Sequence, residues 1–251
     1  MGMKQPYTPC GFYCATQPIS IALGAPRLFN GRAWERLIYR CVVWLLLGLT
    51  LTVIAAPDLD KMSSLAQQRY GASGTKTLQQ WRQVIDQARA LPDAEKVKRI
   101  NEFINQRIAF KDDQELWGQA DYWATPLETL GRGAGDCEDF TIAKYATLKL
   151  LGVPIEHMRL IYVRAKIGGP HSSVSQAHMV LGYYPKPGEE PVILDNLVTE
   201  IYPASRRSDL TPVFSFNSEG LWVGQRTSDN ATARLSRWRG VLERMQQDGM
   251  Q

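Results

Sequence analysis

Cysteine is scarce in this chain: there are four in 251 residues, and Cys10, Cys14 and Cys41 all fall in the first 41. Past residue 56 Cys137 stands alone, which excludes a disulfide framework there. The spacing in CGFYC, residues 10 to 14, is too loose for a redox or zinc motif. Long apolar runs are also missing. The longest, CVVWLLLGLTLTVIAA from Cys41 to Ala56, spans 16 residues, short of the roughly 20 that a membrane-spanning helix needs. There is no internal repeat and no low-complexity tract, so repeat architectures are excluded. A surplus of charge is absent as well. Five of the 29 basic residues and one of the 25 acidic ones lie in the first 56 positions, which leaves 24 of each in the remainder. The formal charge of +4 therefore belongs to the N-terminal segment, and no nucleic-acid partner is expected.

The apolar run follows Arg32, Arg36 and Arg40 and ends in small residues, which is the layout of a secretory signal with a cut near Ala55 or Ala56. An uncleaved N-terminal anchor is the alternative. Residues 1–56 are thus expected to be leader and signal or anchor, and 57–251 the working domain, exported to an oxidising compartment. An exported domain usually pairs its thiols or lacks them, so a lone Cys137 is either an inert core residue or a chemical one.

With 44% hydrophobic and 22% charged residues the domain is globular in composition. Leu78, Trp81, Val84, Ile85 and Ala88 recur at helical spacing, as do Val97, Ile100, Phe103, Ile104 and Ile108 after a Pro92-Asp93 break. Residues 111–135 show little periodicity and read as a long ordered loop with one turn of helix at 126–130. Trp117, Tyr122 and Trp123 in that loop either line a substrate groove or pin the loop to the core. CEDFTIAKYATLKLLG reads as a helix with Phe140, Ala143, Ala146 or Thr147, Leu150 and Leu151 on its apolar face. Three strand-like runs follow, at 158–166, 177–184 and 191–197, joined by turn formers. The segment after 196 suggests one or two further short strands and an amphipathic helix that docks on the body or on a membrane. The fold class is α+β, a nucleophile-bearing helix packed on an antiparallel sheet.

The chemistry concentrates in GAGDCEDF, residues 133–140, where Asp136, Glu138 and Asp139 crowd Cys137. With Asp136 as N-cap, Cys137 falls in the first helical turn, where free N–H groups and the dipole favour an anion. The dipole contributes about 0.3 to 1 kcal/mol, less than the 1.36 kcal/mol of one pKa unit, so it cannot offset three carboxylates. A second positive charge is required. One source is an imidazolium. His157 reads as a surface residue and His171 lies in a glycine-containing loop, whereas His178 sits in a strand with Asp195 at the end of the next. Cysteine, histidine and aspartate in that order supply nucleophile, base and orienting group. The other source is a metal held by Asp136, Glu138 and Asp139, an all-oxygen set suited to calcium and not of the EF-hand type. Acids at a helix start also need no metal to be favourable.

WGQADYWATPLETLGRGAGDCEDF, followed by QAHMVLGYY and ILDNL, resembles the bacterial transglutaminase-like cysteine proteinases over roughly 58–224. The resemblance implies a papain-like, transglutaminase-type core with Cys137, His178 and Asp195 as the triad. It also implies calcium dependence, with Asp136, Glu138 and Asp139 at or near the ion. The implied substrate is a large repeat-containing adhesin, cut near its N-terminus so that biofilm disperses, and the implied inhibitor an inner-membrane receptor for cyclic di-GMP. The same triad with an amine in place of water would make an acyltransferase. A non-catalytic calcium-binding module docking to a membrane receptor is the remaining alternative.

Overall fold

The computed structural model describes residues 57–250 apart from 187, 225 and 229–234. The expected leader and signal, 1–56, lies outside the described residues. Among those described, no helix is long and apolar enough to cross a membrane.

The chain begins with α1 (Leu59–Ala88), which turns sharply at Gly71, where φ is 65°. That left-handed conformation suits glycine because it has no Cβ to clash. Helix α2 (Asp93–Arg107) follows the Pro92 break. A two-residue strand β1 (Ala109–Phe110) then pairs in parallel with β2 (Ala134–Gly135). Between them lie α3 (Asp113–Trp117) and α4 (Pro126–Arg132). The stretch read from sequence as a loop with one helical turn is therefore more regular than expected. Helix α4 is started by a capping box, in which the Thr125 hydroxyl accepts from the Glu128 N–H and the Glu128 carboxylate accepts from the Thr125 N–H.

Helix α5 (Cys137–Leu150) is the centre of the molecule. Every residue from Asp139 to Leu148 is buried, because α2, α4 and the strands β3 (Met158–Lys166) and β4 (Ser175–Tyr183) pack around it. The sequence suggested a single apolar face. The polar residues that close the circle, Thr141, Lys144 and Thr147, are buried as well. Strands β5 (Val192–Leu194), β6 (Tyr202–Pro203), β7 (Leu210–Phe216), β8 (Leu221–Val223) and β9 (Arg226–Ser228) complete a seven-stranded antiparallel sheet in the order β6-β5-β4-β3-β7-β8-β9. All of its neighbouring pairs are antiparallel. The mixed α+β architecture is thus as read. Helix α6 (Ser236–Asp248) docks on the body through Trp238, Val241 and Met245, with Trp238 edge-on to Phe216 and Tyr145.

In the core, α1 is tied to α5 by Trp81, which is fully buried and donates its indole N–H to the Thr147 hydroxyl at 2.9 Å. Replacing it removes a large apolar body and one donor to the Thr147 hydroxyl. Trp81→Ala is expected to lower unfolding free energy by about 3 to 5 kcal/mol in denaturant titration. A loss below 1 kcal/mol would show that α1 is not anchored through this residue.

Candidate active site and metal centre

Cys137 is the first residue of α5 and Asp136 occupies the N-cap position. The Asp136 side chain makes no capping hydrogen bond, contrary to the simplest reading of an acid there. Its Oδ1 is buried without a partner, and so are Oδ1 of Asp113 and Oδ2 of Asp139. These three residues present ligand atoms within 4.8 Å of one another, as do Asp113, Asp121 and Glu138, and Asp136, Cys137 and Glu138. Asp136, Glu138 and Asp139 are therefore joined by Asp113 and Asp121, which the sequence reading missed.

Local structure explains the gathering. The β1–β2 pair and the Lys111 N–H donated to Gly135 O at 3.0 Å bring the start of α3 beside the start of α5. Asp139 lies so close to Gly135 that a Cβ on that glycine would come within 2.6 Å of the Asp139 Cβ. Asp139 Oδ1 accepts the Ala124 N–H at 2.7 Å and Asp113 accepts that of Tyr122, which ties the intervening loop down.

Such a corner resists its own charge. Burial, then Glu138, Asp139 and Asp113, pushes Asp136 up to about 9. Burial likewise holds Asp113 above the ordinary carboxylate range and Asp139 well above it. Burial first, and the adjacent Glu138 second, raise the Cys137 thiol, which donates to Glu138 Oε2 at 3.0 Å. Unpartnered carboxylate oxygens in an all-oxygen donor set fit a hard divalent cation, calcium in preference to zinc. Bound there, such an ion supplies positive charge that favours ionised acids and a thiolate.

On the other side of Cys137 stands the sheet. The backbone of Met179, the residue next to His178, acts weakly against the rise of the thiol. His178 is 2% exposed and its Nε2 lies 2.7 Å from Oδ1 of Asp195, itself 1% exposed. Strand β5 pairs with β4 only at 181–183, so Asp195 falls just past the paired stretch, diagonal to His178. Burial alone would raise Asp195, but the hydrogen bond and charge of His178, the Leu197 N–H and Arg207 bring it down to about 2. With Nε2 committed to the carboxylate, Nδ1 is the ring nitrogen left to exchange a proton.

Cys137, His178, Asp136 and Glu138 line one cavity of about 780 Å³. Of the three loop aromatics, Trp123 lines it while also packing against the core, 5.8 Å from Phe216. Trp117 and Tyr122 instead pin the loop: they pack on each other, with Arg132 over the first and Arg244 over the second. His157 packs its ring against Tyr183 and is half-buried, more so than the surface position expected, while His171 is exposed.

A cysteine at the start of a helix, against a strand carrying a histidine bonded to an aspartate, is the arrangement of papain-like and transglutaminase-like enzymes. The family model for bacterial transglutaminase-like cysteine proteinases (BTLCP) matches residues 73–218, and the chain belongs to that family. Among solved structures it is similar to Legionella pneumophila LapG, with 38% identity over 76% of this chain and 99% of that one, at a TM-score of 0.65. The EGTA-treated form of LapG aligns with the same identity and TM-score. The calcium-bound form aligns at 38% identity and a TM-score of 0.63, covering 74% of this chain and 98% of that one. No match is found among curated proteins.

With burial and neighbouring carboxylates pushing Asp136 up to about 9, the Asp136–Glu138 cluster is expected to hold a proton at pH 7 that ligation of a cation must displace. Calcium binding at pH 7 is therefore expected to release protons. Calorimetric titrations in buffers of different ionisation enthalpy measure that release, and identical heats in all buffers would contradict it.

Proposed function

We propose that this protein is a calcium-dependent periplasmic cysteine endopeptidase that cuts the N-terminal region of a large repeat-containing adhesin, releasing it from the cell surface and dispersing biofilm. The observation that carries the reading is the buried His178–Asp195 pair opening on the same cavity as Cys137. Membership of the cysteine proteinase family supports the reaction class. The similarity to LapG, with its calcium-bound form, supports the metal.

In this mechanism Nδ1 of His178 accepts the Cys137 proton, and the sulfur attacks the scissile carbonyl carbon. The tetrahedral adduct collapses to a thioester as the imidazolium protonates the departing amine. Water, deprotonated by the same imidazole, then attacks the thioester, frees the acid and returns the proton to sulfur. Asp195 keeps the ring oriented and stabilises its charged form. The backbone N–H of Cys137 at the start of α5 is one oxyanion donor. A second donor would come from the Gln119–Trp123 loop. There the Tyr122 N–H is already taken by Asp113, which leaves Ala120, Asp121 or Trp123 at the cavity wall. Asp136, Glu138 and Asp139, with Asp113 and Asp121, would hold the calcium. An inner-membrane receptor that senses cyclic di-GMP is the partner that would restrain the enzyme.

The test is digestion of a purified adhesin N-terminal fragment with and without calcium. Wild-type protein is expected to cut it in calcium and stop in excess chelator. Cys137→Ala should abolish cleavage with thermal stability nearly unchanged, and His178→Ala should lower kcat by about 10²- to 10⁴-fold. Cleavage by Cys137→Ala, or undiminished cleavage in chelator, would refute the proposal. A labelled amine in the same reaction separates the alternatives, since incorporation without chain cleavage would identify an acyltransferase.

A further inference from the structure

We propose that Arg207, braced by Asp209, is a positioning residue that fixes the Asp195 carboxylate against His178. This rests on the reading of Cys137, His178 and Asp195 as one catalytic unit, and extends it by two residues from a segment in which the sequence pattern showed nothing.

Oδ1 of Asp195 accepts from His178 Nε2 at 2.7 Å and from the Leu197 N–H at 3.0 Å, while Oδ2 accepts from Arg207 Nη2 at 2.7 Å. The Arg207 and Asp195 side chains are 3% and 0% exposed. Arg207 is gripped in turn by Asp209, Nε to Oδ1 at 3.0 Å and Nη2 to Oδ2 at 2.8 Å. Its backbone is tied on both sides, the N–H donating to Ala204 O and the carbonyl accepting from the Leu210 N–H. The guanidinium thus stands on a fixed mount between the turn at Ala204–Arg206 and β7.

The terminal torsion of an aspartate is broad and roughly two-fold. A hydrogen bond from the imidazole alone does not define it. A second donor on the opposite oxygen does: Arg207 Nη2 fastens Oδ2, and the guanidinium plane is itself held by its two-point fork on Asp209, so Asp195 is pinned at both oxygens. Desolvating an arginine and two carboxylates does not by itself raise stability, so what the cluster yields is a fixed geometry.

Charge explains why Asp209 belongs to the set. An arginine beside Asp195 would cancel the negative charge that a protonated His178 needs. Asp209 lends its own charge to Arg207, so the three residues together remain net negative. The other charged group facing Asp195 is Lys144 of α5, lowered by burial to about 7. Asn105 donates to the Asp195 backbone carbonyl at 2.8 Å and carries no charge.

The experiment measures alkylation of Cys137 by iodoacetamide in the full chain, at neutral pH with calcium, followed on the tryptic peptide GAGDCEDFTIAK. Thermal midpoints of each variant are recorded in parallel. Arg207→Met is expected to slow alkylation by about 10- to 100-fold, the usual cost of losing a partner that orients a working group. Arg207→Lys, which keeps the charge without the fork, should fall between that variant and wild type. Asp209→Asn should also slow it. A merely structural pair would lower the thermal midpoint and leave the rate in the folded protein unchanged. Wild-type rates in folded Arg207→Met overturn the proposal; if that variant does not fold, wild-type rates in Asp209→Asn do so. His178→Ala reports separately on the underlying reading: were it to alkylate as fast as wild type, the catalytic unit itself would be refuted.

Discussion

The structure turns on negative charge packed into a dry corner at the start of α5. Asp113, Asp136 and Asp139 each hold a buried oxygen without a hydrogen-bond partner there, and Glu138 and Asp121 add to the crowd. A helix dipole contributes about 0.3 to 1 kcal/mol to an anion at its N-terminus. Burial and the carboxylates of Glu138, Asp139 and Asp113 push Asp136 up to about 9. The dipole is too weak to offset that crowding. Protons or a divalent cation must make up the difference, and the thiol in the same turn feels whichever is present.

The scaffold serves this corner and the sheet opposite in different ways. Because α5 is buried on all sides over ten residues, its first turn cannot shift without unpacking the core. The acids reach it from α3 and α5 through a two-residue parallel bridge, with Gly135 leaving just enough room for Asp139. The sheet supplies the opposite electrostatic environment. There Asp195 is surrounded by donors and is driven down to about 2 despite burial, so it is a settled anion at any physiological pH. Cys137 sits between a set of acids that disfavours its thiolate and a histidine hydrogen-bonded to a buried carboxylate.

Much of this was legible in the chain. The helix start at Cys137 and the three strand runs follow from periodicity, and the diagonal relation of His178 to Asp195 follows from hairpin geometry. What escaped has physical causes. Asp113 and Asp121 reach the corner through β1–β2, a pairing too short to leave a pattern. Helix α4 stands where one helical turn was expected, at 126–130, and runs two residues further, started by Thr125-Pro126 with Glu128 three residues on, a capping box with proline at the first position. The all-round burial of α5 was hidden because Thr141 and Lys144 are polar and lie off the apolar face set by spacing, on which Thr147 was only an alternative to Ala146. In fact Thr141 and Thr147 return their hydroxyls to the helix's own carbonyls, at Cys137 O and Ala143 O. Arg207 follows a second arginine in a loop and nothing local marks it as buried.

Glu138 links the two halves of the site. It is the acceptor of the thiol proton and also a member of two of the three acid groupings. A carboxylate has room for several partners, but an oxygen shared with a cation is a poorer acceptor, because its electron density is already drawn away. While Glu138 is free, the proton on sulfur has an anionic acceptor 3.0 Å away that favours keeping it. In the proposed mechanism, once Glu138 is engaged by a cation, the ring nitrogen of His178 not committed to Asp195 takes that proton. On that reading the demand of the acid corner for positive charge and the demand of the sulfur for a base meet in one side chain, and a cysteine among acids has a physical reason to stand in this turn.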